Sequence, residues 1–166
     1  MVITIDGAAG VGKITTAKEL ARKLGFKYLD TGAMYRAITY FFIQHQVDIK
    51  SKNMVISSLD TLSLDVSFPV DRPTKIMLDG EDISEDIRKK VVTNRVSQVS
   101  AIEDVRKKMV KIQKEIVSNG NFVVEGRDIG TVVFPNAEHK FFLVADYDIR
   151  AERRLKDFDN VNEKLD

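Results

Sequence analysis

The chain has 166 residues, 43% of them hydrophobic and 31% charged, which suits one globular domain with a core and excludes a disordered segment. Its 26 basic and 25 acidic side chains leave a formal charge of +1, so there is no global field to draw the chain onto nucleic acid or an anionic membrane, and any bound anion must be held locally. The lack of cysteine excludes disulfides, thiolate metal sites and a cysteine nucleophile. The chain starts without a leader pattern, and its longest apolar runs, such as FFLVA (141–145), are too short to cross a bilayer, so a cytoplasmic protein is expected.

Val2 to Ile5 is a short β-branched run ending at Asp6-Gly7, the pattern of a buried strand feeding a loop. From Lys13, Ala17, Leu20, Ala21 and Leu24 recur at helical spacing, and Gly25 supplies a stop. FKYLD (26–30) reads as a second strand, GAMYRAITYFFIQHQ (32–46) as a long helix, and 53–59 as a short one. The period then changes: LSLDVSF (62–68) alternates, PVDRP (69–73) is a turn and KIMLDGEDI (75–83) is one more extended piece. Residues 62–90 are therefore expected to form a small antiparallel insertion between core segments 1–61 and 91–166.

Residues 91–100 and 102–119 have helical spacing, the second helix opened by Ser100 and Glu103 at capping-box spacing and closed by Asn119-Gly120. FVVEG (122–126) and KFFLVA (140–145) are continuous apolar runs of the kind buried in parallel sheets, and YDIRAERRLKDF (147–158) starts a last helix. Strands alternating with helices predict an α/β three-layer sandwich with a parallel central sheet.

The strongest signal is TIDGAAGVGKITTAKEL (4–20). A strand, then G-x-x-x-x-G-K, then a helix is the arrangement in which backbone N–H groups curl around a phosphate at a helix N-terminus. Gly7, Ala8, Ala9, Gly10, Val11, Gly12 and Lys13 form that loop, with Lys13 reaching the outer phosphates. A hydroxyl that ligates Mg²⁺ normally follows, but here Ile14 stands there and Thr15 and Thr16 come next. Thr15 is expected to face the nucleotide, and either Mg²⁺ is held through water and the phosphates themselves or turnover is crippled.

Such loops serve many enzymes, so the remaining chain must discriminate. The D-x-x-G and N-K-x-D motifs of a GTPase are absent. A kinase for a phosphorylated acceptor needs a second anion site, preferably of arginines, whose planar fork grips phosphate in two places. Candidates follow two strands: DTGAMYR (30–36) with Thr31 and Arg36, and EGRDIGT (125–131) with Arg127 and Asp128. His45 and His139 stand alone and read as packing or surface residues. VRKKMVKIQK (105–114) reads as a solvated helix face over core positions Val105, Met109 and Ile112 rather than a nucleic-acid surface.

With ITIDGAAGVGK (3–13), YLDTGAMYRA (28–37), LDGEDISEDIR (78–88), VSQVSAIEDVR (96–106) and VVEGRDIGTVVFPNA (123–137), the chain resembles the bacterial cytidylate kinases over nearly its whole length. The resemblance implies a P-loop NTPase fold of the nucleoside monophosphate kinase type. It implies transfer of the γ-phosphoryl of ATP to CMP or dCMP, by a monomer that needs no nucleic acid or membrane partner. It further implies that Gly7 to Thr15 bind ATP, that Lys13, Arg36, Arg127 and Asp128 serve catalysis, and that Arg36 and Arg127 clamp the acceptor phosphate beside Thr31. Ser97, Arg106 and Asp128 match positions that read the cytosine and hold the sugar, and Glu125 is a candidate outer-sphere acid for Mg²⁺, with no metal ligated directly by the protein.

Two departures stand out. At Ile14 family members usually carry Ser or Gly, and beyond Asp166 they continue with a mobile lid, a final strand and a helix. The lid is expected to start near 147–166, where Arg150, Arg153 and Arg154 can reach ATP or pair with Glu152 or Asp157. Poor turnover, or nucleotide binding without turnover, is the expectation for this length. A kinase of the same fold acting on UMP or AMP is the other alternative, against which Ser97, Arg106 and Asp128 argue.

Overall fold

The computed structural model describes residues 1–69 and 72–162, without the side chains of 154 and 156–162. Val70 and Asp71 of the expected PVDRP turn, and the side chains of Arg154 and Asp157, thus lie outside the described residues. Two compact units result, Met1–Tyr28 with the chain from Asn121 onward, and Leu29–Gly120.

The first unit is built on a sheet with strand order β2-β6-β1-β7, where β1 is Val2–Gly7, β2 Lys27–Asp30, β6 Phe122–Gly126 and β7 His139–Leu143. β1 runs parallel to both neighbours, Ile3 opposite Val123 on one side and His139 on the other. Both faces of β1 and β6 are covered, as their unbroken apolar runs predict. Helix α1, Lys13–Leu24, lays Ala17 and Ala21 on Ile3, Ile5 and Val123, with Leu20, Phe26, Tyr28 and Leu143 around them. It ends at the expected Gly25, whose N–H donates to the carbonyls of Ala21 and Arg22. Helix α7 spans Tyr147–Asn162.

KFFLVA departs from expectation. It forms β7, but Phe141, Phe142 and Val144 are 52%, 68% and 80% exposed. An apolar run signals a strand without saying how many neighbours the strand has, and among the described residues β7 pairs with β1 alone.

The second unit opens with α2, Thr31–Gln44, whose N-cap Asp30 accepts from the N–H of Ala33 at 2.9 Å. Met34, Ala37, Ile38, Phe41 and Phe42 form its buried face. After α3, Lys52–Thr61, comes the expected antiparallel sheet of β3 (Leu64–Ser67), β4 (Lys75–Leu78) and β5 (Glu81–Asp82). Leu64, Val66, Ile76 and Leu78 turn inward from it. Residues 75–83 are not one extended piece: Asp79 and Gly80 take positive φ values of 50° and 82° and reverse the chain into a hairpin. Asp-Gly is the dipeptide that such a two-residue turn favours.

Asp82 in that hairpin accepts from Lys75 at 2.8 Å and from the Ser84 hydroxyl at 2.6 Å. Hydrogen bonds from Lys75 and then Ser84 lower its carboxyl from the ordinary 3.8 to about 2. A depressed carboxylate stabilises the fold fully above its unfolded pKa and loses that effect as pH falls toward the folded value. The Asp82 side chain, followed by NMR, is therefore expected to titrate near 2, and β4–β5 is expected to loosen between about pH 4 and 2 but not above. Titration near the ordinary carboxylate value would contradict the observed pairing.

Residues 91–100 are not one helix but two, α4 (Lys90–Thr93) and α5 (Val96–Ser100). The break falls at Asn94-Arg95, where Asn94 is a poor helix former, and the hydroxyl of Thr93 just before it is engaged by other groups. Helix α6 spans Glu103–Val117, with Val105 and Met109 buried as expected and Ile112 half-buried. The expected capping box does not form. Ser100 is still helical and its hydroxyl donates to the Ser97 carbonyl, which leaves extended Ile102 at the N-cap. Glu103 and Asp104 complement the helix dipole instead. At the far end α6 gives way at Ser118, just before the expected Asn119-Gly120.

Candidate active site

In the first unit β1 delivers the chain into the glycine loop and α1 receives it at Lys13. At Gly7, φ is +151° and a Cβ would lie 2.5 Å from the carbonyl oxygen of Leu143 and 3.0 Å from Val11, so only glycine fits the turn out of the sheet. Gly12, in the left-handed region, sets the first turn of α1, and its carbonyl accepts from Thr16 N–H at 3.1 Å. The first N–H groups of α1 have no carbonyl earlier in their own helix, and the helix dipole favours an anion beside them.

Lys13 Nζ donates to the Ala8 carbonyl at 2.9 Å, so the ammonium lies back across the loop. Two further cations converge there from α7: Arg150 Nε donates to the carbonyl of Ala9 at 3.0 Å and Arg153 Nη1 to that of Gly10 at 3.2 Å. Charge alone suggested that these arginines meet phosphates or acidic neighbours; the structure shows both on the main chain of the loop. Ala8, Ala9 and Gly10 are half-buried and Val11 is buried, whereas Thr15 and Thr16 are exposed.

Ile14 is 50% exposed and is no part of the core. Among the described residues, no group of three or more His, Asp or Glu side chains gathers to hold a metal ion. Ile14, the residue after the lysine, is aliphatic and offers no oxygen to a metal ion. His45 stacks on Phe41 at 4.2 Å and its Nδ1 lies 2.9 Å from the Phe41 carbonyl oxygen, a packing role.

At the end of β6, Glu125 is buried, Arg127 exposed and Asp128 half-buried. The chain then winds through a π-type turn, Ile129–Val133. That turn is fastened to β1 by a residue absent from the sequence-based candidates: Asp6 Oδ1 accepts from Ile129 N–H at 2.8 Å and Oδ2 from Gly130 N–H at 2.7 Å. A carboxylate at the end of an otherwise apolar, buried strand was the available signal.

In the second unit, Thr31 is buried at the start of α2, and Arg36, one turn further, donates from Nη1 to the Thr93 hydroxyl at 2.7 Å. Ser97 is exposed on α5, and Arg106 is half-buried in the first turn of α6. Helix α5 packs against both α2 and α6, so Arg36, Ser97 and Arg106 belong to one helical cluster. The structure thus groups the loop, Lys13, Arg127 and Asp128 in one unit and Thr31, Arg36, Ser97 and Arg106 in the other. Thr93, Arg36's partner, was not a candidate on sequence grounds; nothing in its local context marks it.

The family model described as cytidylate kinase matches residues 3–166. The chain is 49% identical to a cytidylate kinase of Streptococcus gordonii over 155 residues, covering 93% of this chain and 69% of that protein. It is 46% identical to the cytidylate kinase of Caldanaerobacter subterraneus over 95% of its length and 68% of the relative's. A cytidylate kinase of Protochlamydia amoebophila is 45% identical over 99% of this chain and 71% of its own.

Proposed function

The chain belongs to the cytidylate kinase family, and from that premise we propose that it transfers the γ-phosphoryl of ATP to CMP or dCMP, giving CDP or dCDP and ADP. The observation that carries this reading is the loop between β1 and α1, with Lys13 laid across its carbonyls at the N-terminus of a helix. That arrangement suits the polyphosphate of a nucleotide.

The chemistry asks for alignment and charge neutralisation. An oxygen of the acceptor phosphate is already a nucleophile; it bonds to the γ-phosphorus as the bond to the β,γ-bridging oxygen breaks, and ADP departs. Lys13 offsets charge on the donor phosphates, and Arg36 and Arg127 grip the acceptor phosphate beside Thr31. Ser97, Arg106 and Asp128 read cytosine, whose O2 and N3 accept and whose N4 donates, and hold the sugar. Mg²⁺, carried on the phosphates and water, would supply further neutralisation of the β- and γ-oxygens. The protein works as a cytoplasmic monomer on small-molecule substrates.

Initial rates of ADP formation with CMP, dCMP, UMP and AMP test this. The two cytidine nucleotides should lead by about 10²-fold or more in kcat/KM, since a mismatched donor and acceptor pattern leaves buried polar groups unpaired. Equal rates, or AMP as the best acceptor, would overturn the assignment. Ile14→Ser, which restores a hydroxyl at an exposed position, should raise kcat about fivefold through one added hydrogen bond, with the melting temperature nearly unchanged. Its measurement across a Mg²⁺ series checks this, and an unchanged kcat would show that the hydroxyl is dispensable here.

A further inference from the structure

Asp6 is the penultimate residue of β1 and is only 6% exposed, yet its carboxylate is directed at main chain rather than at solvent. Both oxygens accept backbone N–H bonds, at 2.8 Å from Ile129 and 2.7 Å from Gly130, across 123 and 124 residues of sequence. Bonds to an ionised acceptor are stronger than neutral ones, and two from adjacent amides fix direction as well as distance. The same turn is closed from another side: a Cβ at Gly130 would stand 2.6 Å from Thr4 Oγ1 and 3.1 Å from Lys140 Cδ. The turn therefore sits against β1 in one orientation, with Arg127 and Asp128 directly before it and Gly7, the first residue of the phosphate loop, directly after Asp6.

We propose that Asp6 is a positioning residue for phosphoryl transfer: through the amides of Ile129 and Gly130 it sets Arg127 and Asp128 in register with the phosphate loop. The proposal rests on the acceptor roles given above to Arg127 and Asp128. Asp6 itself touches neither substrate. Its loss lets the acceptor groups drift while the loop that holds ATP keeps its glycine-determined shape.

Asp6→Asn isolates the effect. The amide keeps the shape but offers one accepting oxygen, and its NH₂ opposes one of the two backbone N–H groups. Leaving one buried donor unpaired should raise the KM for CMP about tenfold or more, with the KM for ATP within about twofold. Hydrogen exchange at the Ile129 and Gly130 amides should quicken in parallel, while the amides of α1 stay protected. Gly130→Ala, which keeps the carboxylate itself but displaces the turn whose Gly130 N–H it holds, should give the same split and guards against an effect peculiar to the Asn side chain.

Equal increases in both KM values, a lowered melting temperature with both KM values unchanged, or retained slow exchange at the two amides in Asp6→Asn would each overturn the proposal. If the unaltered chain makes no ADP with CMP, the acceptor reading fails. The exchange measurement then decides by itself whether the carboxylate holds the turn.

Discussion

Lys13→Ala is expected to lower kcat by roughly 10³-fold, the scale seen when a preorganised charge or donor aimed at the transition state is removed. Lys13 opens α1, and its ammonium lies 2.9 Å from a loop carbonyl, so a nucleotide bound at this loop as proposed would find the charge already in place. The reaction moves negative charge toward the β,γ-bridging oxygen, and a point charge beside it acts more in the transition state than in the ground state. The KM for ATP should therefore change much less than kcat. Lys13 is half-buried at the protein's surface, so the melting temperature should barely move. Lys13→Arg is not expected to rescue, since a planar guanidinium does not occupy the place of a compact ammonium in a tight loop. Steady-state kinetics with a thermal melt checks all four statements.

Arg36→Ala and Arg127→Ala should each cost about 10²-fold in kcat/KM for CMP, with the KM for ATP little changed, if each has its proposed role of a charge-assisted grip on the acceptor phosphate. The two residues lie in different units of the chain, 91 positions apart by their numbers (127 − 36). If both hold one phosphate their effects are coupled. The double variant should then fall short of the sum of the single effects by about 1 kcal/mol or more. Strict additivity would mean that they serve different groups. Arg36→Ala also releases the Thr93 hydroxyl that accepts from it at 2.7 Å. Thr93→Val separates that loss from the loss of charge.

Much of the first unit was legible in the sequence because its signals are local. β1, the glycine loop and α1 follow from a β-branched run, glycines at fixed offsets and apolar residues at helical spacing, and each appears where those patterns put it. β6 is legible for the same reason. What escaped was decided by partners distant in sequence or by competing local bonds. KFFLVA has the composition of a buried strand, but exposure depends on neighbours, and among the described residues β7 has β1 alone. Ser100 and Glu103 have capping-box spacing, yet Ser100 remains in a helix and bonds backward to Ser97. The Asp79-Gly80 hairpin could have been read from its dipeptide.

The site divides in the same way. The loop and the arginines that follow strands carry their chemistry in their own letters, so they could be named. Asp6, and the contacts of Arg150 and Arg153 with loop carbonyls, depend on residues more than a hundred positions away, and no short motif encodes them.

The most direct measurement is the fate of the transferred group when the protein is incubated with ATP, Mg²⁺ and CMP and the nucleotides are resolved by ³¹P NMR. The predicted result is CDP and ADP formed in equal amounts, with inorganic phosphate absent and no ADP formed when CMP is omitted. ADP accompanied by free phosphate with CMP recovered intact would contradict the assignment of this loop and these arginines to phosphoryl transfer to CMP.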